Sequence, residues 1–488
     1  MDDTFSQNLK YFKKSPESKR LLMGKWGIER ETHRIEEDGS IALTPHPKEL
    51  TDDQITLDFA ETQLEFVTKP HQNIEQVLKE LEQIHHRASR TIGRELMWPL
   101  SMPPHLPDEE KIPIAQFPDS KDGYEKELYR KGLAVRYGKK LQMISGIHYN
   151  YSLDDRLIDL LYQQSKTKQS KQAFINELYM SIGRNMLKYR WLFVYLFGAS
   201  PVADSSYQSV IKDKIASDRS EYTEQTSKEM ELNKYAISLR TSRFGYSTEV
   251  EDKYQVSYNH LNQYIADLRT ILTTENEKYK EIGLERNGER IQINTNELQI
   301  EAEFYAPIRF RQTPRQGETL LDALEHRGIS YFELRDIDIN PFSSIGLTKN
   351  QAEFIHMFIL MCLFEENSGL SNEEQRLASK NHQLVALFGR KPNLTLYLDS
   401  GKEISLKEWG QDIFKKIIQV AEVLDQATNK SYYTKIAQAE ARKLEDKSLL
   451  ISEQMMHEME RHAESYLDFG LRLAHKYQLG QPEVCANV

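Results

Sequence analysis

The 488-residue sequence predicts a mixed protein of strands and helices whose last third is helical. Two observations lead to this prediction. Segments that alternate in the manner of strands are interspersed with helical segments up to about residue 345. From Lys349 onward the chain has charged helical faces and no strand pattern. Since strands in regular helical company favour a parallel α/β sheet, that arrangement is the starting expectation.

Each predicted element rests on its own pattern. A hairpin is predicted from the alternation of residues 27–35, the turn residues Asp38-Gly39 and a return strand at 41–43. The other predicted elements, in chain order, are a strand-like segment at 55–68, an amphipathic helix at 73–97, a strand at 143–153, a helical region at 154–197, a polar surface excursion at 202–235, a helix at 261–272, and strands at 290–306 and 329–339.

Composition excludes several functional classes. The formal net charge of −10 argues against nonspecific nucleic-acid binding. The most apolar run, 191–197, is too short to span a bilayer, and the acidic N-terminus lacks the features of a signal peptide. The two cysteines, Cys362 and Cys485, exclude a disulfide framework and a cysteine-based zinc site and suit the cytosol.

No glycine-rich phosphate loop opens any helix of the sequence. None of the three Gly-Lys pairs has the second glycine five residues upstream that a P-loop requires. If this protein uses a nucleotide, metal ions must therefore hold the phosphates.

The pair Glu29 and Glu31 is the strongest candidate for function. On a strand the two side chains share one face, roughly 6.6 Å apart along the chain. Two carboxylates at that spacing repel each other unless a positive charge lies between them, and a divalent cation takes oxygen ligands from both. The alternative is an exposed strand face with solvated charges.

Three further acids interrupt an otherwise apolar segment at 58–68. These are Asp58, Glu61 and Glu65, and unpaired charges are costly in a buried strand. The same spacing also fits the solvated face of a helix, and the pattern alone favours neither interpretation.

Two more strands carry polar side chains on one face. Gly146, His148 and Asn150 share a face, where the small residue leaves room for a ligand, although a lone histidine in a strand is more often structural. Glu333 and Arg335 repeat the spacing of the opening pair, with a salt bridge between neighbours as the alternative.

Taken in order, these segments resemble bacterial glutamate–cysteine ligase (γ-glutamylcysteine synthetase) of the monofunctional, proteobacterial type. Single motifs are unspecific, whereas the ordered set is specific. The segments that carry the resemblance are 27–32, 58–61, 64–66, 97–103, 128–130, 145–150, 238–240, 305–309 and 338–342. The helical last third matches in size and character only.

The resemblance replaces the parallel-sheet expectation. It implies an α+β fold similar to that of glutamine synthetase, in which a curved, largely antiparallel sheet forms a funnel surrounded by helices. It also implies one large catalytic domain over residues 1–488, with a sheet-bearing active-site part at 1–345 and a helical part at 346–488. The chain is too short for the additional ATP-grasp domain of bifunctional relatives.

The activity implied by the resemblance is the ATP-dependent ligation of the γ-carboxylate of L-glutamate to the amine of L-cysteine. The reaction passes through γ-glutamyl phosphate and is the first step of glutathione biosynthesis. The implied cofactor is a cluster of Mg²⁺ ions, with Mn²⁺ as a possible substitute. A cytoplasmic enzyme, monomeric or weakly oligomeric, is expected, with no nucleic-acid or membrane partner.

The resemblance also assigns roles to residues. Arg335 would contact the phosphoryl group in transfer, and Tyr129 and Arg130 would hold glutamate. Arg240 would pair with the cysteine carboxylate, and Tyr246 and Tyr305 would shape the thiol pocket. The implied metal ligands are Glu29, Glu31, Asp58, Glu65, His148 and Glu333.

The sequence departs from the family pattern at three places. His33 stands where the family has an apolar residue, on the same strand face as the opening acids, so it is either a metal contact or a structural histidine. Residues 247–250 differ from the family pattern, which puts the cysteine-side loop in doubt, and Ala302 replaces a polar residue.

Two alternatives to this function remain. The first keeps the chemistry and changes the amine; a cation at position 240 favours an acceptor with its own carboxylate. The second is a noncatalytic ATP- or metal-binding regulator, which predicts gaps in the set of acids. The sequence has no such gaps.

Overall fold

A seven-stranded antiparallel sheet is the centre of the computed structural model, which describes residues 4–217, 232–245, 250 and 253–478. Its strands are β1 (Gly24–Ile35), β2 (Ile55–Leu57), β3 (Gln63–Val67), β4 (Leu96–Met97), β5 (Ile147–Leu153), β6 (Ile308–Arg311) and β7 (Tyr331–Ile337). The strand order is β2-β3-β1-β5-β7-β6, and β4 pairs with the end of β1. Every pairing between these strands is antiparallel.

Helices surround this sheet. They are α1 (Thr4–Lys10), α2 (Ile74–Thr91), α3 (Lys121–Tyr137), α4 (Asp155–Ser165), α5 (Lys171–Phe197), α6 (Gln208–Ser217), α7 (Leu232–Tyr235), α8 (Leu261–Thr273), α9 (Glu277–Ile282), α10 (Leu320–Arg327), α11 (Lys349–Phe364), α12 (Asn372–Phe388), α13 (Leu406–Thr428), α14 (Tyr433–Ala441), α15 (Ile451–His462) and α16 (Tyr466–Gln478). Buried apolar side chains from Phe5 to Tyr477 form one continuous cluster.

One face of the sheet is apolar because side chains alternate along each strand. Tyr149 and Tyr151 of β5 lie beside Phe332 of β7 on this face, all of them buried. The phenol of Tyr149 donates to the carbonyl oxygen of Ala352 in α11 at 3.2 Å. The ring of Tyr179 in α5 lies 6.2 Å from that of Phe332, measured between centroids. The long helices α5 and α11 therefore cover this side of the sheet, which leaves the opposite face for polar residues.

The α+β fold and the largely antiparallel sheet implied by the resemblance are confirmed, and the parallel starting expectation is wrong. The ambiguous segment 55–68 forms two strands, β2 and β3, joined by a turn that contains Asp58. It is therefore not a helix.

Several boundaries differ from the prediction. The helical region at 154–197 is two helices, separated where Lys166 adopts a left-handed conformation with φ 50°. The helix at 73–97 ends at Thr91, because Leu96 and Met97 pair with β1. A short hairpin, Thr395–Tyr397 with Glu403–Ser405, interrupts the helical last third. The surface excursion contains α6, and its residues 218–231 lie outside the described part.

The strand predicted at 290–306 is wrong. Apart from Arg290, which ends a two-residue strand, that segment is a loop with one 3₁₀ turn, Glu301–Glu303, and β6 begins at Ile308, two residues beyond the segment. Buried polar side chains explain the difference: Gln292 donates to the carbonyl oxygen of Tyr279 in α9, and Gln299 accepts the backbone N–H of Ile293, rather than alternating across a sheet. Among the described residues, no helix has the length and apolarity needed to cross a membrane.

Candidate active site

The polar face of the sheet brings together acids from three strands and a histidine from a fourth. Strand pairing sets Glu31 of β1 opposite Glu65 of β3, and Glu29 opposite His148 of β5. Glu333 of β7 lies opposite Asn150, the next residue on the same face of β5. Because the register fixes these neighbours, residues distant in the sequence lie within contact distance. We call Glu29, Glu31, Glu65, Glu333 and His148 the carboxylate cluster.

His148 lies at the centre of the carboxylate cluster. Its Nδ1 is 2.9 Å from Oε2 of Glu29 and 3.6 Å from Oε1 of Glu333. Its Nε2 is 3.5 Å from Oε1 of Glu31 and has no hydrogen-bond partner within the described residues. Burial, together with the charge of Arg335, lowers the pKa of His148 to about 4. The ring is therefore neutral at pH 7, and with Nδ1 donating to Glu29 it points a lone pair on Nε2 toward a carboxylate.

Burial and neighbouring acids raise the pKa of three carboxyl groups at this site, those of Glu31, Glu65 and Asp58. Burial, reinforced by the charge of Asp58, raises the pKa of Glu31 to about 8. Burial and then the charges of Glu29, Asp58 and Glu31 raise the pKa of Glu65 well above its usual value. Burial likewise raises the pKa of Asp58. A cation placed among these carboxyl groups would favour their charged forms.

Two arginines border the cluster on the side of β6 and β7. Arg335 forms an ion pair with Glu333, and Nε of Arg311 donates to the same carboxylate at 2.7 Å. Burial opposes ionisation of Glu333, but these two guanidinium groups hold its pKa well below the usual value. Positive charge is thus concentrated at one end of the polar face and negative charge at the other.

The cluster has the composition of a cation site. Two sets of three side chains, Glu29 with His148 and Glu333, and Glu31 with Glu65 and His148, each offer ligand atoms within 4.8 Å of one another. Oxygen-rich sites of this kind suit Mg²⁺ or Mn²⁺, and one imidazole among carboxylates is compatible with both. The bare Nε2 of His148 facing a carboxylate supports the same fit.

Arg130, predicted with Tyr129 to hold glutamate, lies at the end of β2, and Tyr305, predicted to shape the thiol pocket, lies nearby. Arg130 of α3 donates through Nη2 to the carbonyl oxygen of Leu57 at 2.9 Å and through Nε to that of Asp58. Tyr305, in the loop before β6, donates its hydroxyl to Oε1 of Gln142 at 3.0 Å. Burial raises the pKa of Tyr129 beyond its usual value, so its phenol is un-ionised and available as a hydrogen-bond donor.

The predicted acceptor arginine, Arg240, lies against the end of β7. Its Nη2 donates to the carbonyl oxygen of Arg335 at 3.0 Å, and its side chain is 3% exposed. Arg240, Tyr305 and Arg335 line one wall of a cavity of about 610 Å³ that opens toward α12. Tyr246, predicted to shape the same pocket, lies outside the described residues.

Two residues singled out in the sequence lie away from the cluster contacts. His33 is fully buried, with Nδ1 3.1 Å from the hydroxyl of Thr62 and Nε2 2.8 Å from the carbonyl oxygen of Met143. It is a structural histidine. Glu61 accepts the backbone N–H groups of His46 and Gln116, so its role is to hold two loops.

Arg311 is the charged residue of this site that the sequence reasoning missed. It lies on β6, the strand that was predicted too early in the chain. The alternation of 308–311, apolar then basic twice over, was the available signal. The buried acceptor Gln142 was also missed; it belongs to a 3₁₀ turn, Lys140–Met143, that carries no recognisable motif.

The fold and sequence match known proteins closely. Residues 9–385 match the glutamate–cysteine ligase family model. A glutamate–cysteine ligase of Clostridium acetobutylicum is 43% identical over 476 residues, covering 96% of this chain and 99% of the relative. One from Pseudomonas putida is 40% identical over 450 residues, covering 91% of this chain and 84% of the relative.

A solved structure agrees with these relatives. The crystal structure of glutamate–cysteine ligase from Francisella tularensis in complex with AMP superimposes with a TM-score of 0.83 at 32% identity, covering 94% of this chain and 88% of that one. A bifunctional glutathione synthetase from Pasteurella multocida superimposes with a TM-score of 0.75 at 26% identity over 97% of this chain, which spans 54% of that longer protein. This chain belongs to the glutamate–cysteine ligase family, as the ordered motifs of its sequence indicate, and is an enzyme of the ligase class.

Proposed function

We propose that this chain joins the γ-carboxylate of L-glutamate to the amine of L-cysteine, and that the carboxylate cluster holds the magnesium ions that the reaction needs. As a family member the chain is an ATP-dependent ligase that forms γ-glutamylcysteine, the first step of glutathione biosynthesis. The observation that supports the metal assignment best is the convergence of four glutamates on one neutral histidine.

Charge explains why the site needs cations. The attacking carboxylate and the γ-phosphate of ATP are both anions, and Mg²⁺ ions held by the carboxylate cluster would supply the positive charge that offsets their repulsion. We assign Glu29, His148 and Glu333 to one ion and Glu31 with Glu65 to another. Asp58 completes the set, because its charge already acts on both Glu31 and Glu65. Mn²⁺ should substitute, since it accepts the same ligands.

Arg335 is proposed as the contact of the transferring phosphoryl group. Its guanidinium is fixed by Glu333 on the polar face, and the charge of that acid keeps the pKa of Arg335 raised although burial alone would lower it. A permanently charged fork at this point stabilises the charge that spreads over the equatorial phosphate oxygens. The product of this step is γ-glutamyl phosphate.

The two amino-acid substrates are proposed to occupy opposite sides of the cluster. Tyr129 and Arg130 would hold glutamate beside Asp58, where the carbonyl contacts of Arg130 already fix its orientation. Arg240 would bind the carboxylate of cysteine, and Tyr246 and Tyr305 would surround the thiol with polarisable rings. The amine of cysteine then attacks the acyl phosphate in a site closed to water.

We further propose that residues 1–488 act as one catalytic domain, in the cytoplasm, as a monomer or weak oligomer. The continuous apolar cluster that joins both parts of the chain supports the first point. The scarcity of cysteine, with buried Cys362 free, supports a reducing compartment.

Phosphate release from ATP with glutamate, Mg²⁺ and a panel of amines tests this proposal. We expect release to require both glutamate and cysteine, and γ-glutamylcysteine to accumulate in equal amount. Release that ignores cysteine and responds to another amine would contradict the acceptor assignment. Release unchanged by replacing Glu31 with glutamine would contradict the metal assignment.

A further inference from the structure

The motif 338–342 contributes to the family resemblance and has no role in the function proposed above. Its first residue, Asp338, follows directly after β7 and is 1% exposed. Its Oδ2 accepts hydrogen bonds from the backbone N–H of Ala199 at 2.8 Å and from the hydroxyl of Ser200 at 2.7 Å. These two donors, at the end of α5, fix the orientation of the carboxylate.

The other oxygen of Asp338 faces the acceptor arginine. Its Oδ1 has no hydrogen-bond partner in the described part of the chain and lies 3.7 Å from Nη1 of Arg240. Both side chains are almost fully buried, at 0% and 3% exposure, so water screens their attraction little. The hydroxyl of Ser200 also accepts the backbone N–H of Arg240 at 3.2 Å.

Gly146 bounds the other side of the same guanidinium. A Cβ atom at Gly146 would lie 1.9 Å from Nη2 of Arg240, so the close approach requires glycine. The backbone N–H of Gly146 donates to Oε2 of Glu31 at 2.7 Å. Arg240 therefore lies between two buried carboxylates, one in the proposed metal site and one behind the sheet.

We propose that Asp338 is the positioning residue of Arg240. The anchored carboxylate attracts the guanidinium and holds it on the acceptor side, where it receives the carboxylate of cysteine instead of pairing with Glu31. This inference rests on the proposed function, because it assigns Arg240 to the acceptor. Asp338 itself contacts neither substrate.

Two acceptors distinguish this role from a merely structural one. Cysteamine has the amine and the thiol of cysteine and lacks the carboxylate that Arg240 would bind. We expect Asp338→Asn to lower kcat/KM for cysteine by about 10- to 100-fold, mostly through KM, as for other residues that orient a ligating group. The rate with cysteamine should change less than about threefold, since that acceptor makes no use of the oriented arginine.

Ser200→Ala is a milder second variant. It removes one hydroxyl that bonds both Asp338 and the backbone of Arg240, so we expect a loss of about 3- to 10-fold with cysteine alone. Asp204→Asn is the matched control. Asp204 is also a buried aspartate that accepts a backbone N–H and a serine hydroxyl, and it pairs with His105 instead of Arg240.

The results of these assays differ between a positioning role of Asp338 and a merely structural one. Equal losses with both acceptors, or no loss with either, would overturn the positioning role of Asp338. Turnover by the wild-type enzyme that does not depend on cysteine would contradict the proposed function itself. A loss confined to cysteine in both variants, absent from Asp204→Asn, supports the inference.

Discussion

Two buried groups of charged side chains in this protein differ in how completely their charges and hydrogen bonds are paired. The first is the ion pair of Arg136 and Glu303, whose side chains are both 0% exposed and lie 3.1 Å apart. Arg136 donates also to Gln292 and to the carbonyl oxygen of Asn294, at 3.0 and 2.7 Å. Glu303 accepts additionally from Tyr137 and from the backbone of Gln299. The second is the carboxylate cluster.

The carboxylate cluster lacks this balance. Its acids outnumber the adjacent arginines on the side of β1 and β3, and Nε2 of His148 lies 3.5 Å from Oε1 of Glu31 with no hydrogen-bond partner among the described residues. The ion pair of Arg136 and Glu303, by contrast, joins the loop before Tyr305 to α3, the helix that carries Tyr129. An added cation would balance the charges of the carboxylate cluster. The comparison teaches that a satisfied buried pair holds a fold together, whereas an unsatisfied cluster indicates a binding site.

Removing one acid from the cluster should have the largest effect. Glu31→Gln keeps the size of the side chain and removes a proposed metal ligand, so we expect turnover to fall at least about 10³-fold. That loss corresponds to about 4 kcal/mol of transition-state stabilisation. Steady-state assays of γ-glutamylcysteine formation measure it.

Glu353→Gln serves as the control for this substitution. Glu353 is a buried glutamate on α11, behind the apolar face of the sheet, and burial raises its pKa to about 7. Its loss should leave turnover within about twofold of wild type. If both variants lose activity equally, or if Glu31→Gln stays active, the carboxylate cluster does not have the functional role proposed for it.

The same substitution in the two groups should change stability in different directions. Glu303→Gln leaves Arg136 buried without its counter-ion, and we expect a loss of about 3 to 5 kcal/mol in the free energy of unfolding. Glu65→Gln, measured without metal, replaces a carboxyl group whose raised pKa already disfavours its charged form, and should be neutral or stabilising. Urea unfolding at pH 7.5 with a chelator tests both. A destabilised Glu65→Gln would show that the cluster is satisfied as it stands.

Magnesium should stabilise the wild-type protein. At about 100 times its dissociation constant, an ion that binds the folded state alone adds about 2.7 kcal/mol to the free energy of unfolding. The gain should persist in Glu303→Gln, whose pair lies outside the cluster, and shrink in Glu31→Gln. Thermal melts across a magnesium titration measure this. An equal gain in all three proteins would point to metal binding elsewhere.

The pH dependence of stability should be the smallest effect. The folded-state pKa of Glu31 is raised to about 8, so between its ordinary pKa near 4.5 and pH 8 the folded state holds more proton than the unfolded state. The contribution of Glu31 to the stability of the metal-free protein therefore falls as the pH rises between these two pKa values. The slope is at most about 1.4 kcal/mol per pH unit.

The difference between wild type and Glu31→Gln isolates this contribution from other titrating groups. His148 acts in the opposite direction, because its folded-state pKa is lowered to about 4 and its unfolded state takes up a proton near 6.5. Saturating magnesium should abolish the pH dependence of this difference, because a bound cation keeps Glu31 ionised in the folded state. A difference curve that rises with pH would show that Glu31 is already ionised by its neighbours.

The sequence predicted the members of the carboxylate cluster better than it predicted their arrangement. Glu29 and Glu31 follow from strand alternation, a local rule that needs only adjacent residues. That Glu65 lies opposite Glu31 depends on register between strands 34 residues apart, which entered only through the family resemblance. The assigned roles of all these residues stay predictions.

The failures have a common physical cause. The segment 290–306 alternates like a strand, but Gln292 and Gln299 are buried and donate to the carbonyl oxygens of Tyr279 in α9 and Tyr129 in α3, a tertiary effect that period-2 patterning cannot reveal. Arg311 was missed because β6 has only four residues. Asp338 belongs to one of the family motifs, but its contact with Arg240 arises only when the fold brings together residues about 100 positions apart.

Strand alternation also restricts how this enzyme can evolve. One residue inserted or deleted within β1 would turn Glu29 and Glu31 onto the helix-packed side and expose Ile28 in their place. Relatives can therefore exchange side chains along β1 other than those of the cluster, but length changes belong in the loops on either side. A survey of natural variants should find strand length invariant there even where residue identity drifts.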